Sequence, residues 1–317
     1  MAEATSQKPL FPPPTSDEAL MAALAHGSVL LSLFGPIGPI LVWVSQRRKS
    51  AYASFHALQA MGYQMAFFWI GLTVGLLVLI FWMCLALPLL MSALENNPDN
   101  FLAPFAFEMV MFIFTFLVWG IYALGGIVSA VMCLMKKDFR YPWLGKRLEA
   151  FINYDPATGA LDQAKEEQFV AAMSHASAIL FMLGALSPLT LWVTQKDRSP
   201  YLRFQGLQAV AYQLLALAAY FGFMFVYVGS FVLLFVAIAV TASTGIDSAG
   251  PFVSILLFLF ILVMMLMWLV FLLAIPTYHL FAMIAAIQIL KGRDYRYPWL
   301  GNFLARRMKL DEAKKEA

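Results

Sequence analysis

Charge is scarce in this sequence. Asp, Glu, Lys and Arg make up 12% of its 317 residues, about half the share of an ordinary soluble domain. That excludes a freely soluble globular protein. Cysteine is scarcer still: Cys84 and Cys133 both lie inside apolar segments, without CxxC spacing or a nearby His/Cys cluster in the chain. The pattern excludes a disulfide framework and reads as two small buried hydrophobes. They fall near opposite ends of their segments, so they are not expected to pair. The net charge is only +3, and the basic residues sit in short clusters beside apolar stretches. No nucleic-acid partner is expected. A catalytic triad, a Gly-rich phosphate loop, a zinc signature and paired carboxylates are all lacking. The expectation is a non-enzyme with no catalytic residue, no cofactor and no metal.

What the sequence does have is apolar length. Hydrophobic residues make up 62% of it. Six apolar segments emerge, at about 20–45, 57–94, 102–135, 169–194, 206–240 and 251–290, which reads as an all-α polytopic membrane protein. The chain also repeats itself. Residues 26–64 return as 175–213 at an offset of 149, with 16 of 39 positions identical and no gap. Among them are His26/His175, Gly35/Gly184, Pro39/Pro188, Trp43/Trp192, Gln59/Gln208 and Gln64/Gln213. Each copy closes on a shared mark: Asp138-Phe139-Arg140-Tyr141-Pro142-Trp143-Leu144-Gly145 returns as Asp294-Tyr295-Arg296-Tyr297-Pro298-Trp299-Leu300-Gly301. That offset is 156, so the second copy carries seven extra residues between the two marks. The expected organisation is a disordered tail (1–17), a first membrane repeat (18–148), a polar cytoplasmic linker (149–166), a second repeat (167–304) and a charged tail (305–317). Thr15 and Glu18 are spaced as a capping box for the first helix. Asp155-Pro156 and Thr158-Gly159 read as turns in the linker.

The first and fourth segments are interrupted. Gly35, Pro36 and Pro39 in one, and Gly184 and Pro188 in the other, read as helix breaks, because proline lacks the N–H that a continuous helix needs. Such a segment either crosses as a kinked helix or enters and returns as a hairpin. Loop charges separate the two. If all six segments crossed once, nine basic residues would fall on one face and twelve on the other. If each broken segment returns to its own side, all 21 fall on one face. The opposite face then receives two loops with Glu95, Asp99 and Asp247 and no basic residue. The positive-inside rule selects the second arrangement. Two short crossings in each broken segment would give the same sidedness. Two parallel repeats follow, each a Gly/Pro-broken hairpin segment plus two long transmembrane helices, with both termini in the cytoplasm. Segment 57–94 is longer than the membrane needs, at about 57 Å against a core of about 30 Å; residues 52–64 are the expected excess.

Polar residues inside apolar segments are the site candidates, because an unpaired one is costly there. His26 with Gln59, and His175 with Gln208, are expected to touch. Gln64 and Gln213 lie one turn deeper and extend a stripe begun by His56 and Gln205. They either bond the backbone freed at the Gly-Pro breaks or line a polar cavity between the repeats. Arg140, Tyr141 and Trp143, with Arg296, Tyr297 and Trp299, follow apolar segments directly and read as interfacial anchors. A docking site for a partner is the other reading of those marks. Glu108 and His279 have no counterpart in the other copy.

The pattern as a whole carries a resemblance. An Ala-His-Gly-Ser helix, Gly-Pro-Ile, Trp43-Val44, a basic loop, Tyr-x-x-Phe-x-x-Leu-Gln-Ala-x-x-Tyr-Gln and Tyr-Arg-Tyr-Pro-Trp-Leu-Gly follow in order. The sequence resembles a bacterial membrane domain of unknown function, here in two tandem copies. That domain is remotely similar to the twenty-kilodalton subunit of the chloroplast inner-envelope import translocon. The resemblance covers about 18–148 and 167–304. It implies a bacterial cytoplasmic-membrane protein with four helices per copy and the lipid bilayer and other membrane proteins as partners; the oligomeric state is left open. The expected function is a non-enzymatic scaffold or partner-binding component assisting other membrane proteins. The alternative is a channel or transporter for a small solute or ion, with a polar path between the repeats.

Overall fold

The structure, a computed structural model, describes residues 13–96, 102–244 and 246–309. Most of both tails and the loop after Asn96 lie outside the described residues. The fold is all-α, without a strand among the described residues. Repeat 1 consists of α1 (Ser16–Gly27), α2 (Ile37–Gln46), α3 (Ala51–Phe81), α4 (Leu87–Asn96), α5 (Leu102–Leu134) and α6 (Leu144–Phe151). Repeat 2 consists of α7 (Gln163–Ala176), α8 (Leu186–Gln195), α9 (Pro200–Thr244), α10 (Ile246–Leu290) and α11 (Leu300–Arg307). The two repeats run parallel.

The helix ends follow the local chemistry. Thr15 and Glu18 form the expected capping box. Ser50 caps α3, and Asp162 caps α7 through the Ala164 and Lys165 amides. A π-turn at Trp82–Ala86 joins α3 to α4. It lies just before Pro88, whose ring and missing N–H disturb the preceding turn. The linker is packed rather than loose: Tyr154 stacks on Phe55 at 4.4 Å, and the Asp155 carboxylate closes the turn through Ala157 and Thr158.

The broken segments enter and return. Chain reversal is set by residues not singled out in the sequence: Ser32 (φ 54°) and Phe181 (φ 48°), each three residues before the conserved-in-both-copies glycine. The prolines do not break a helix here. Pro36 caps α2, while Pro39 and Pro188 sit in the first turns of α2 and α8, where the missing N–H would have no intrahelical partner anyway. Glu18 at the start of α1 lies beside Ser50, just beyond α2. Glu167 at the start of α7 accepts from Ser199 Oγ, just beyond α8, at 2.6 Å. Both hairpins therefore close on the end where they began. With 12 and 10 residues, α1 and α2 reach about 18 and 15 Å, short of a core of about 30 Å.

Among the described residues, five apolar runs have the length and composition to cross a membrane: Ser16–Phe34, Ala51–Ser92, Glu108–Leu134, Pro200–Ser243 and Val253–Leu290. The first contains the Ser32 reversal, which leaves four uninterrupted spans. Their two halves differ. From Tyr52 to Met65, nearly every residue of α3 is buried against other helices; beyond that, its apolar side chains face outward. The expected excess of this helix is thus protein core.

The repeats meet through their hairpins, with α2 on α8 and α3 on α7. The Trp43 indole N–H donates to the buried Glu166 carboxylate. Arg47 donates to Gln195 at 2.9 Å and pairs with Glu167. Trp69 donates to the Ala176 carbonyl at 2.9 Å.

Candidate functional site

Each repeat holds one buried polar core, at the end where its helices converge. In repeat 1, small residues of α1 (Ala19, Ala22, Ala23, Ala25) let His26 sink fully against α3 and α5. Its Nδ1 lies 3.1 Å from the Tyr141 hydroxyl and its Nε2 lies 3.2 Å from His56 Nδ1. Cys133 Sγ lies 3.5 Å from the same His56 nitrogen. The far nitrogen of His56 faces Asp138 Oδ1 at 3.5 Å. Arg140 holds the other Asp138 oxygen at 2.7 Å, reaches Glu149 at 3.2 Å, and stacks over Phe55.

Repeat 2 keeps the frame with other chemistry. His175 Nδ1 lies 3.0 Å from the Tyr297 hydroxyl, and its Nε2 is 3.1 Å from Gln205 Oε1. At the expected place of Cys133 stands Ile289, also buried.

The expected His26–Gln59 and His175–Gln208 bonds do not form directly. Gln59 instead clamps the loop after α5: its Oε1 accepts from the Tyr141 amide at 3.1 Å and its Nε2 donates to the Phe139 carbonyl at 3.0 Å. Gln208 does the same with Tyr297 and Tyr295 and also donates to Gln205. Each glutamine thus reaches its histidine through a tyrosine. The reason is reach: a carboxamide with two faces satisfies a peptide N–H and C=O together. Gly145 and Gly301 make room for this clamp, since a Cβ would meet the glutamine oxygen at 2.6 and 2.3 Å.

Gln64 and Gln213 take the backbone role. Gln64 Nε2 bonds Ser28 Oγ at 2.9 Å and approaches the Ala25 carbonyl, while Gln213 Nε2 bonds the Ser174 carbonyl and Ser177 Oγ. Both glutamines are buried within their own repeat. They line no cavity between the repeats, which meet instead through the Trp43, Arg47 and Trp69 contacts.

The anchor assignment divides. Trp143 and Trp299 are 67% and 90% exposed, as anchors should be. Tyr141 and Tyr297 are buried, with their hydroxyls on the histidines, and Arg140 is held in the carboxylate network. A tight turn makes the division: Trp143 (φ 68°) and Trp299 (φ 60°) lie in γ-turns closed by Leu144 N–H on Pro142 O and Leu300 N–H on Pro298 O. The turn sends tyrosine inward and tryptophan outward. Arg296 lies beside Asp294 at 3.4 Å. Glu108 is exposed on α5, and His279 packs edge-on against Trp69 of repeat 1.

Three participants escaped the sequence reading. His56 appeared only as a stripe residue, Cys133 as a hydrophobe, and Glu166 as part of the linker. The available signal was divergence between the copies: His56 against Gln205 and Cys133 against Ile289. Glu166 lies in the first turn of α7, where burial pushes its carboxyl up to about 7 against the opposing pull of Trp43 and Arg47.

Comparison with curated proteins gives no match, and comparison with solved structures gives none. A family model matches twice, over residues 17–148 and 166–304, the same two copies that the internal repeat marks out. The chain belongs to the magnetosome magnetite crystal formation protein family.

Proposed function

We propose that the protein is a non-enzymatic scaffold of the bacterial cytoplasmic membrane, serving magnetosome magnetite crystal formation beside other membrane proteins. Its basic loops and both termini face the cytoplasm. The observation that carries this reading is the disposition of the intramembrane polar residues. His26, Gln59 and Gln64 bond within repeat 1, and His175, Gln208 and Gln213 within repeat 2. A transporter needs such residues on a shared wet path, whereas a scaffold uses them to fix helix positions.

The test is thiol accessibility in intact cells, with Cys84→Ala and Cys133→Ser as background. Cysteines at Asn97 and Ser248 are expected to react with an impermeant reagent from outside, and cysteines at Ser50 and Ser199 to be protected. Labelling at only one of Ser50 and Ser199 overturns the sidedness. Cysteines at Gln64 and Gln213 are expected to resist a small permeant reagent; reaction at both replaces the scaffold with a water-filled path. In a magnetosome-forming host, deletion is expected to alter crystal size or number, and unchanged crystals would remove that role.

A further inference from the structure

We infer that repeat 1, and not repeat 2, is a binding site for one divalent ion of the zinc class, held by His26 Nε2, His56 Nδ1 and Cys133 Sγ. All three residues are buried, and their ligand atoms lie within 4.8 Å of one another. The two closest edges have the right size. A tetrahedral zinc site with Zn–N of about 2.05 Å and Zn–S of about 2.3 Å has N–N edges near 3.3 Å and N–S edges near 3.6 Å. Here the His26–His56 edge is 3.2 Å and the Cys133–His56 edge is 3.5 Å. Soft thiolate with imidazole selects zinc over hard cations.

The surroundings are those of a metal site as well. Ligand histidines commonly lean their other nitrogen on a carboxylate or another polar group. His56 Nε2 faces Asp138 Oδ1 at 3.5 Å, and neither atom has a hydrogen-bond partner. The remaining nitrogen of His26 lies on the Tyr141 hydroxyl. The Tyr52 ring lies tilted against His56 at 4.4 Å and its hydroxyl donates to the Lys137 carbonyl at 3.3 Å, closing the cluster on the α3 side. Asp138 is one-fifth exposed, so entry is from the polar end.

Binding involves no redox change. Each histidine binds through its unprotonated nitrogen and carries its ring proton on the other, His26 Nδ1–H donating to the Tyr141 hydroxyl and His56 Nε2–H facing Asp138. Cys133 loses its thiol proton to solvent. The lone pairs of two nitrogens and one thiolate bind the ion, and a fourth position remains for a light ligand. Repeat 2 lacks the means: Gln205 and Ile289 replace His56 and Cys133.

The experiment uses the full chain in detergent under reducing conditions, with Cys84→Ala so that Cys133 is its one thiol. Cobalt(II) is the probe. Expected are saturation at one equivalent, a thiolate-to-cobalt charge-transfer band, the intense visible bands of a tetrahedral ion, and bleaching by zinc. C133S removes the charge-transfer band. H56Q, which installs the residue of repeat 2, abolishes saturation in the same range. D138N weakens binding by about 10- to 100-fold. Q205H with I289C raises the stoichiometry from one to two. Should these variants not fold, X-ray absorption at the zinc edge on the Cys84→Ala protein still decides. One sulfur at about 2.3 Å with nitrogens at about 2.0–2.1 Å is expected, and an all-oxygen or sulfur-free shell overturns the site. So does binding that survives both C133S and H56Q, which would mark an adventitious ion. Iron(II) outcompeting zinc overturns the assignment of the metal class. None of these outcomes depends on the scaffold reading.

Discussion

The two repeats share one frame and differ in what they put in it. Repeat 1 has His26, His56, Cys133 and Asp138 at its polar core, where repeat 2 has His175, Gln205, Ile289 and Asp294. The tyrosine, the clamping glutamine and the γ-turn tryptophan are kept in both. Their outer halves differ too. In repeat 2, α9 and α10 pack together far from the core, with Phe223 against Phe271 and Phe231 against Phe260. In repeat 1, α3 and α5 stand apart around an apolar groove of about 1060 Å³ that includes Gly71 and Gly75. The seven extra residues of repeat 2 fall between Gln213 and Asp294, in these long helices and not in the core. Hydrogen-bonded positions tolerate little change, because an orphaned polar group in a membrane is costly. Lipid-facing length is freer.

This comparison can be broken by substitution, and thermal unfolding of the purified chain reads each case. The largest effect is expected at the hairpin glycines. A Cβ at Gly184 would meet the Ser177 carbonyl oxygen at 2.3 Å, whereas at Gly35 its nearest neighbours lie at 2.9 Å. G184A should cost about 3 kcal/mol and G35A about 1–2 kcal/mol. Equal costs would mean that the two reversals are equally accommodating.

Next comes pH. The Glu166 carboxyl is raised to about 7 in the folded protein from an ordinary 4.5. The folded state therefore holds the proton more tightly than the unfolded one. The stability this contributes is full below pH 4.5 and is lost as pH rises through 7, on the order of 3 kcal/mol. E166Q should remove that slope and be the more stable protein at pH 8. D17N at the symmetry-related exposed position should change stability by less than about 0.5 kcal/mol. A slope retained in E166Q would assign it to another group.

The tryptophans sharpen the same point. The Trp43 indole N–H is bonded to Glu166, while the Trp192 indole N–H has no hydrogen-bond partner. At pH 8, where Glu166 is ionised, W43F should cost about 1.5–3 kcal/mol, the worth of a hydrogen bond to a charged group. W192F should cost less than half of that. The smallest and most symmetric effect belongs to Gln64 and Gln213. Q64A and Q213A should each cost about 0.6–1.7 kcal/mol, and a large inequality would show that the shared frame is not energetically equivalent.

Much of the architecture was legible because it rests on counting. Apolar length, the two offsets and the one-sided basic loops lead to parallel repeats without any contact being known. The returning hairpins followed from loop charge, and the Glu18–Ser50 and Glu167–Ser199 contacts close them. The helix breaks were less legible. Proline and glycine marked the region, but the reversal itself falls on Ser32 and Phe181. Either residue type is ordinary in a helix, and only the close approach of the two arms holds it at positive φ. Tyr141 and Tyr297 were misplaced for a related reason. Composition puts tyrosine at an interface, while a γ-turn one position on from the intervening proline directs it inward.

The sequence by itself determined the membrane class, the duplication and the hairpin topology, because each follows from periodicity, length and charge along the chain. The tertiary structure alone decided which polar residues meet. His26, His56 and Cys133 are separated by 30 and 77 residues, far outside any local ligand spacing. They converge because α1 docks in the angle between the start of α3 and the end of α5, and helix packing, not sequence proximity, sets that angle.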